Sequence, residues 1–173
     1  LYLGGDDWPH NNMKAFKPHR EGGKYRFVLF DLDFAFNRTE NSFQAFEENS
    51  SWLAVADIFV KMLQNADFRK QFIDTYCLVA GSVFVPDRCN AIIDEMASRT
   101  EQALSYEGKS PWWTANNLKN SISNRQQTMI NALKNYNRMK LSGTTEQKVS
   151  LVANIDEARL LVNNLPVPTN KFN

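Results

Sequence analysis

The chain has 173 residues, enough for one domain with a real core and at most part of a second. Its 43% apolar and 23% charged residues form a globular composition, which excludes wholesale disorder. Twenty basic residues against nineteen acidic leave a formal charge of +1, and residues 1–40 hold six of each sign, so no nucleic-acid partner held by a basic surface is expected.

The opening segment, LYLGGDDWPHNN, is a loop with two Gly, a Pro and several turn-favouring side chains. It begins with Leu1 rather than Met, and the chain is read as a piece of a longer protein whose missing signal peptide says nothing of compartment. Met13–Phe16 and Lys24–Phe30 predict two short strands, with the turn signal HREGG at 19–23 between them. KYRFVLF ends in an apolar run, which predicts a strand end buried on both faces. Residues 31–41 turn polar and irregular. The expected result is a β-hairpin that delivers its two flanking loops to one place.

The middle of the chain predicts four helices. Trp52, Val55, Ala56, Phe59, Val60 and Leu63 recur at helical spacing, with Ser51 as the cap. Phe68, Phe72, Tyr76, Val79 and Val83, flanked by Ile73, Cys77, Ala80 and Phe84, make a broad apolar face and so a largely buried second helix. Val85-Pro86 opens a third, carried by Cys89, Ile92, Ile93, Met96, Ala97 and Leu104. Ser110-Pro111 opens a long fourth, carried by Leu118, Ile122, Met129, Leu133 and Tyr136. No stretch nears the roughly 18 apolar residues of a membrane-spanning helix. After Ser142–Thr145 the runs KVSLVAN and ARLLVNN, then Pro166 and Pro168, read as a truncated β-rich module that lies on the helices or is mobile. The fold class is therefore mainly α, a small hairpin packed on about four helices. Residues 1–141 form its body, and 142–173 a linker and short β tail.

Chemistry concentrates in the first forty residues. Asp6, Asp7, His10, Asn11 and Asn12 precede the hairpin, and Asp31 and Asp33 follow it. Carboxylates and an amide carbonyl are hard oxygen donors that suit Mg²⁺. In phosphoryl transfer by kinases an Asp orients the accepting hydroxyl, an Asn five residues later holds metal, and an Asp on a following loop does so too. Asp7 and Asn12 have that spacing, and Asp31 and Asp33 come after the hairpin. Acidic residues after a strand also serve as plain turn formers, so the spacing alone leaves both readings open.

DDWPHNN followed by KYRFVLFDLDFAFN resembles the metal-site half of the CotH kinase family, named for a spore coat protein and similar in fold to the carboxy-terminal lobe of a diverged protein kinase. The closest version of the pattern, D-W-P-x-N-N with a strand ending W/F-D-L-D-x-x-F-G, is common in secreted or surface proteins of Bacteroides-type bacteria. The resemblance runs over about residues 4–141. ADFRKQF, Arg99–Glu101 and Arg125 fit the helical part, and Asn37 departs from the usual Gly. It implies an ATP- and Mg²⁺-dependent transferase acting on hydroxyl groups of a protein substrate, outside the cell or on its surface. Asp7 would be the catalytic-loop Asp, Asn12 or Asn11 the metal-binding Asn, and Asp31 or Asp33 the metal-binding Asp. The piece alone is expected to be inactive without its nucleotide-gripping Lys. The alternative is a non-catalytic, pseudokinase-like surface module.

Other residues receive plainer readings. His10 and His19 are solvated turn residues, and Trp112-Trp113 pack at a helix start. Lys119, Lys134, Arg138 and Lys140 form a solvated face. Arg125 falls on the apolar stripe between Ile122 and Met129 and needs a carboxylate or carbonyl partner. It is either half of a buried ion pair or a brace for the loops. Cys77 and Cys89 flank one helix turn as either a bridge or free thiols. Asp7, Asn12, Asp31 and Asp33 are expected to converge on one solvent-reachable pocket.

Overall fold

The structure, a computed structural model, describes residues 1–28, 30–38, 42–155 and 158–167. Leu29 of the expected second strand, the end of the 31–41 loop and Pro168 lie outside the described residues. The chain is mainly helical. β1 (Lys14–Phe16) pairs antiparallel with β2 (Arg26–Val28), setting Lys14 opposite Val28 and Phe16 opposite Arg26. Among the described residues six α-helices follow rather than about four: α1 (Ser42–Glu48), α2 (Ala54–Met62), α3 (Ala66–Leu78), α4 (Pro86–Ser105), α5 (Trp112–Ser123) and α6 (Arg125–Asn135).

The helix starts show which local signals prevailed. Asn65 caps α3, its side chain accepting from the N–H groups of Asp67 and Phe68. Pro86 opens α4 after an extended Val85, where its missing N–H costs nothing. Ser51 does not cap α2. It lies in a 3₁₀ turn (Asn49–Ser51), and the extended Leu53 stands at the helix start instead. Trp52 consequently falls outside α2 and is exposed. The expected long fourth helix breaks at Asn124, where φ is −107° and ψ is 0°. Its apolar stripe has a seven-residue gap between Ile122 and Met129, and the poor helix former Asn124 sits inside that gap.

The core gathers around Phe43 of α1, which stacks on Tyr136 at 5.2 Å and meets Tyr76 at 5.4 Å. Leu63, Met129, Leu133 and Met139 close it. The stripe expected over α5 and α6 is buried at Ile122, Met129, Leu133 and Tyr136, whereas α3 and α4 bury a narrower face than their patterns suggested: in α3 only Tyr76 is fully buried and Cys77 is exposed, while Met96 of α4 faces solvent. The flanking stripe of α3 is only partly covered: Ala80 joins the core and Ile73 and Phe84 pack against its edge, while Cys77 is exposed. α3 runs into a π-helical turn at 79–83 closed by the Phe84 N–H on the Val79 carbonyl, and Gln126 of α6 donates to the Ala80 carbonyl beside it at 2.9 Å. Both cysteines are free thiols, so the bridge between Cys77 and Cys89 is not made.

The tail is less regular than its sequence implied. Residues 148–154 form no strand, and only β3 (Leu161–Val162) and β4 (Leu165–Pro166) pair. Asn163 and Asn164 make their turn with φ of 50° and 64°, a left-handed pair that Asn tolerates well. Asn163 donates to Asp74 of α3 at 3.0 Å, tying the hairpin to the helices.

Candidate active site

The loops before and after the β1–β2 hairpin are laced together by backbone. Phe36 N–H donates to the Leu3 carbonyl at 2.6 Å, and Arg38 N–H to the Gly4 carbonyl at 2.9 Å. Gly4 makes this approach with φ of 59°; a Cβ there would lie 2.3 Å from the Arg38 oxygen, so no larger residue fits. Arg38 Nε bonds Asp6 at 2.7 Å across the same seam, and Arg125 reaches both strands of it from α6. Its Nε and Nη2 donate to the Tyr2 carbonyl at 3.1 and 2.7 Å, and its Nη1 to the Arg38 carbonyl at 2.7 Å. The partners of Arg125 are therefore carbonyls rather than the carboxylate of an ion pair. The Asp7 loop is anchored further by Trp8, which stacks on Phe46 at 5.1 Å, and by the buried Pro9 that follows a cis peptide.

This lacing sets Asp7, Asn12 and Asp31 on the wall of one cavity of about 270 Å³, whose other side is apolar, with Phe27, Phe30 and Phe34. Asn12 Nδ2 donates to Asp7 at 3.2 Å. Asn12 and Asp31 both have left-handed backbone, with φ of 51° and 53°, a conformation Asn and Asp tolerate better than most residues. The Asp31 carboxyl is pushed above the ordinary carboxylate range, chiefly by the charge of Asp33, then by partial desolvation and by Asp7, while Asn12 pulls it back. Asp33 stands beside Asp31 on the exposed loop and does not line the cavity. Asn11 is exposed and lines none of it; its N–H closes the turn on the Asp7 carbonyl at 2.7 Å.

The strand end is exposed, not buried on both faces: Phe27 is 60% and Val28 42% exposed. Among the described residues no third strand joins the ribbon, and Phe30 just past it is half-buried. Like-charge repulsion, not burial, is therefore the main electrostatic burden on Asp31. Among the described residues no group of three or more His, Cys, Asp or Glu forms a ready metal cage. Two carboxylates and an amide fit a different kind of site, in which Mg²⁺ keeps waters and takes its remaining oxygens from phosphate.

Other sequence readings need adjustment. His10 is exposed and faces Trp52 with 6.2 Å between rings, and His19 is exposed in the hairpin turn. Trp112 bonds Glu101 through its indole N–H at 2.8 Å, but Trp113 is 76% exposed and does not pack. Lys119, Lys134 and Arg138 are not a bare solvated face, since they pair with Asp94, Glu146 and Glu47; among the described residues Lys140 has no such partner and is exposed. Arg38 and Gly4, and the pairing of Asp6 with Arg38, have no signal in the sequence, because these bonds join residues more than thirty apart and leave no local spacing to read.

The carboxyl geometry predicts two opposite pH effects. Native Asp31 holds its proton to higher pH than the unfolded chain, so its contribution to stability falls as pH rises from the ordinary carboxylate range through its raised pKa. Asp6 is depressed by its hydrogen bond from Arg38, so its contribution is lost as pH falls through its lowered pKa. Carboxyl-carbon NMR should show Asp31 titrating above the ordinary Asp range, and Asp33→Asn should bring it down. An Asp31 titration indifferent to that substitution would separate the two carboxylates.

A family model described as CotH kinase protein matches residues 3–142. No curated protein and no solved structure matches the chain.

Proposed function

Because this chain belongs to the CotH kinase family, we propose that it carries the metal and acceptor side of a phosphoryl-transfer site, which in the intact protein moves phosphate from ATP to protein hydroxyl groups. Asp7 is the group that receives and orients the acceptor hydroxyl. It is half-buried on the cavity wall and kept in place by the Asn12 amide at 3.2 Å, so its free oxygen can accept a hydrogen bond without swinging away. Asn12, Asp31 and Asp33 are the oxygen donors for a divalent cation; Asn11 instead closes the turn through its N–H on the Asp7 carbonyl.

The observation that carries this reading is the meeting of Asp7, Asn12 and Asp31 on the wall of one cavity, with the charge of Asp33 beside Asp31. Such crowding is retained where a cation offsets it. Asn12, Asp31 and Asp33 would hold the cation, which would supply positive charge to offset that of the phosphate groups. The apolar side of the cavity, Phe27, Phe30 and Phe34, lowers the local dielectric and so strengthens any ionic contact on the acidic side. The loop lacing already described keeps these donors preorganised before ligand arrives.

Thermal melting of the intact protein tests it. Mg²⁺ and ATP together should raise the melting temperature well beyond either alone; ligand at a hundred times its Kd stabilises by about 2.7 kcal/mol. An unchanged melting temperature at millimolar Mg²⁺ and ATP would leave the non-catalytic binding module as the better account.

A further inference from the structure

We propose that the β1–β2 hairpin is a docking arm for the substrate chain and selects an acidic segment flanking the acceptor hydroxyl; this rests on the phosphoryl-transfer reading above. Residues 13–28 hold five basic side chains, Lys14, Lys17, Arg20, Lys24 and Arg26, against the single acid Glu21. The whole chain carries only +1, so the ribbon is a local concentration of positive charge that the average conceals. All five cations are exposed. Elsewhere basic side chains such as Arg38, Lys119, Lys134 and Arg138 have carboxylate partners, but among the described residues none of these five has one. Lys14 and Lys17 lean instead on the rings of Phe30 and Tyr25, at 5.0 and 5.8 Å.

The same ribbon exposes large apolar groups, with Phe16 52%, Tyr25 73% and Phe27 60% accessible. Among the described residues its sheet has two strands, and no third strand pairs with either outer edge. An extended peptide can add to such an edge, taking main-chain hydrogen bonds from the strand and side-chain selection from its neighbours. Here the neighbours are aromatic rings and unpaired cations, which favour a peptide carrying Asp or Glu.

Position gives the arm its purpose. Phe27 and Val28 line the cavity that holds Asp7 and Asp31, so the base of the ribbon opens on the site and the turn at 19–23 points away from it. The cations follow one another from Lys14 on β1 through Lys17 and Arg20 into the turn at 19–23. The acceptor hydroxyl would sit at Asp7, where flanking acids are repelled. Acidic residues are welcome only further along, from about two residues beyond the acceptor to the tip of the arm.

The test is binding, read separately from transfer. A fluorescein-labelled peptide with one Ser followed by a Glu-rich tail is titrated by anisotropy into the full chain, beside a Lys-tailed counterpart. The Glu-tailed peptide should bind with the preference and weaken steeply with salt. K17E/R20E/K24E/R26E should weaken it by about ten- to a hundredfold, four exposed charge contacts at a few tenths to one kcal/mol each, and K17Q/R20Q/K24Q/R26Q should fall between. Equal affinity for the two peptides, or indifference to charge reversal in a variant that keeps its helical circular dichroism, overturns the proposal. So does capture of the hairpin by phosphatidylserine vesicles with no affinity for the Glu-tailed peptide. In the intact protein, transfer that is no faster to the Glu-tailed peptide overturns the docking arm and leaves the kinase reading standing. Tight, reversal-sensitive binding with no transfer to any hydroxyl does the opposite.

Discussion

Replacing Asp31 and Asp33 together by Asn should reduce phosphoryl transfer by the intact protein by at least about a thousandfold, a barrier increase of roughly 4 kcal/mol, while the fold persists. An amide keeps the size and one carbonyl oxygen of each side chain but removes the negative charge that holds a divalent cation against phosphate. Neither residue contributes to the core: both are exposed on the loop after β2. Their charges act against the native state, since Asp33 and Asp7 together push Asp31 up. At neutral pH the double variant should therefore melt no lower than the parent. That combination, activity lost with the melting temperature held, separates a cation site from a structural pair. It is measured by initial rates with labelled ATP beside a melting curve. Persistence of transfer, or collapse of the fold, would each remove these carboxylates from the role assigned to them.

What could be read from the residues was local. Asp7 and Asn12 show their spacing in seven letters, and Asn65 and Val85-Pro86 announce helix starts through contacts made within one turn. The features that escaped depend on what lies across space. Gly4, Asp6 and Arg38 form the seam between the two loops, but each is bonded to a partner more than thirty residues away. The seven-residue α1 places Phe43 at the centre of the core, yet it is too short for a repeating stripe and merges with the polar stretch before it. The apolar run KYRFVLF misled in the opposite direction: such a run reads alike whether its strand is covered or left open, and here it is open. Asn124 could have been seen as a helix break from its place in the gap of the apolar stripe, had propensity been weighed against the length of the pattern.

Arg125→Met should destabilise the protein by roughly 2–5 kcal/mol, since each buried carbonyl left without a donor costs about 1–3 kcal/mol. Arg125 is 4% exposed, so water cannot take its place cheaply. Its guanidinium serves two carbonyls on different loops at once, Tyr2 and Arg38, and its flat face lies 5.4 Å from the Phe36 ring. Gly4 is packed so closely that an added Cβ would fall 2.5 Å from Nη2, which leaves no room for another side chain to substitute. Arg125→Lys should recover less than half the loss. A single ammonium cannot span both carbonyls, and the fork geometry that makes Arg suitable is absent. Denaturant midpoints for the two variants give the stability. The titration of Asp31 gives a second readout: if Arg125 holds the loops together, its removal lets Asp7 drift from Asp31 and weakens one of the charges that raise the Asp31 carboxyl. A Met variant with an unchanged midpoint would show that the backbone bonds of Leu3 with Phe36 and Gly4 with Arg38 hold the seam unaided. A lowered midpoint with an unmoved Asp31 would confine Arg125 to the core and leave the acidic site to the hairpin alone.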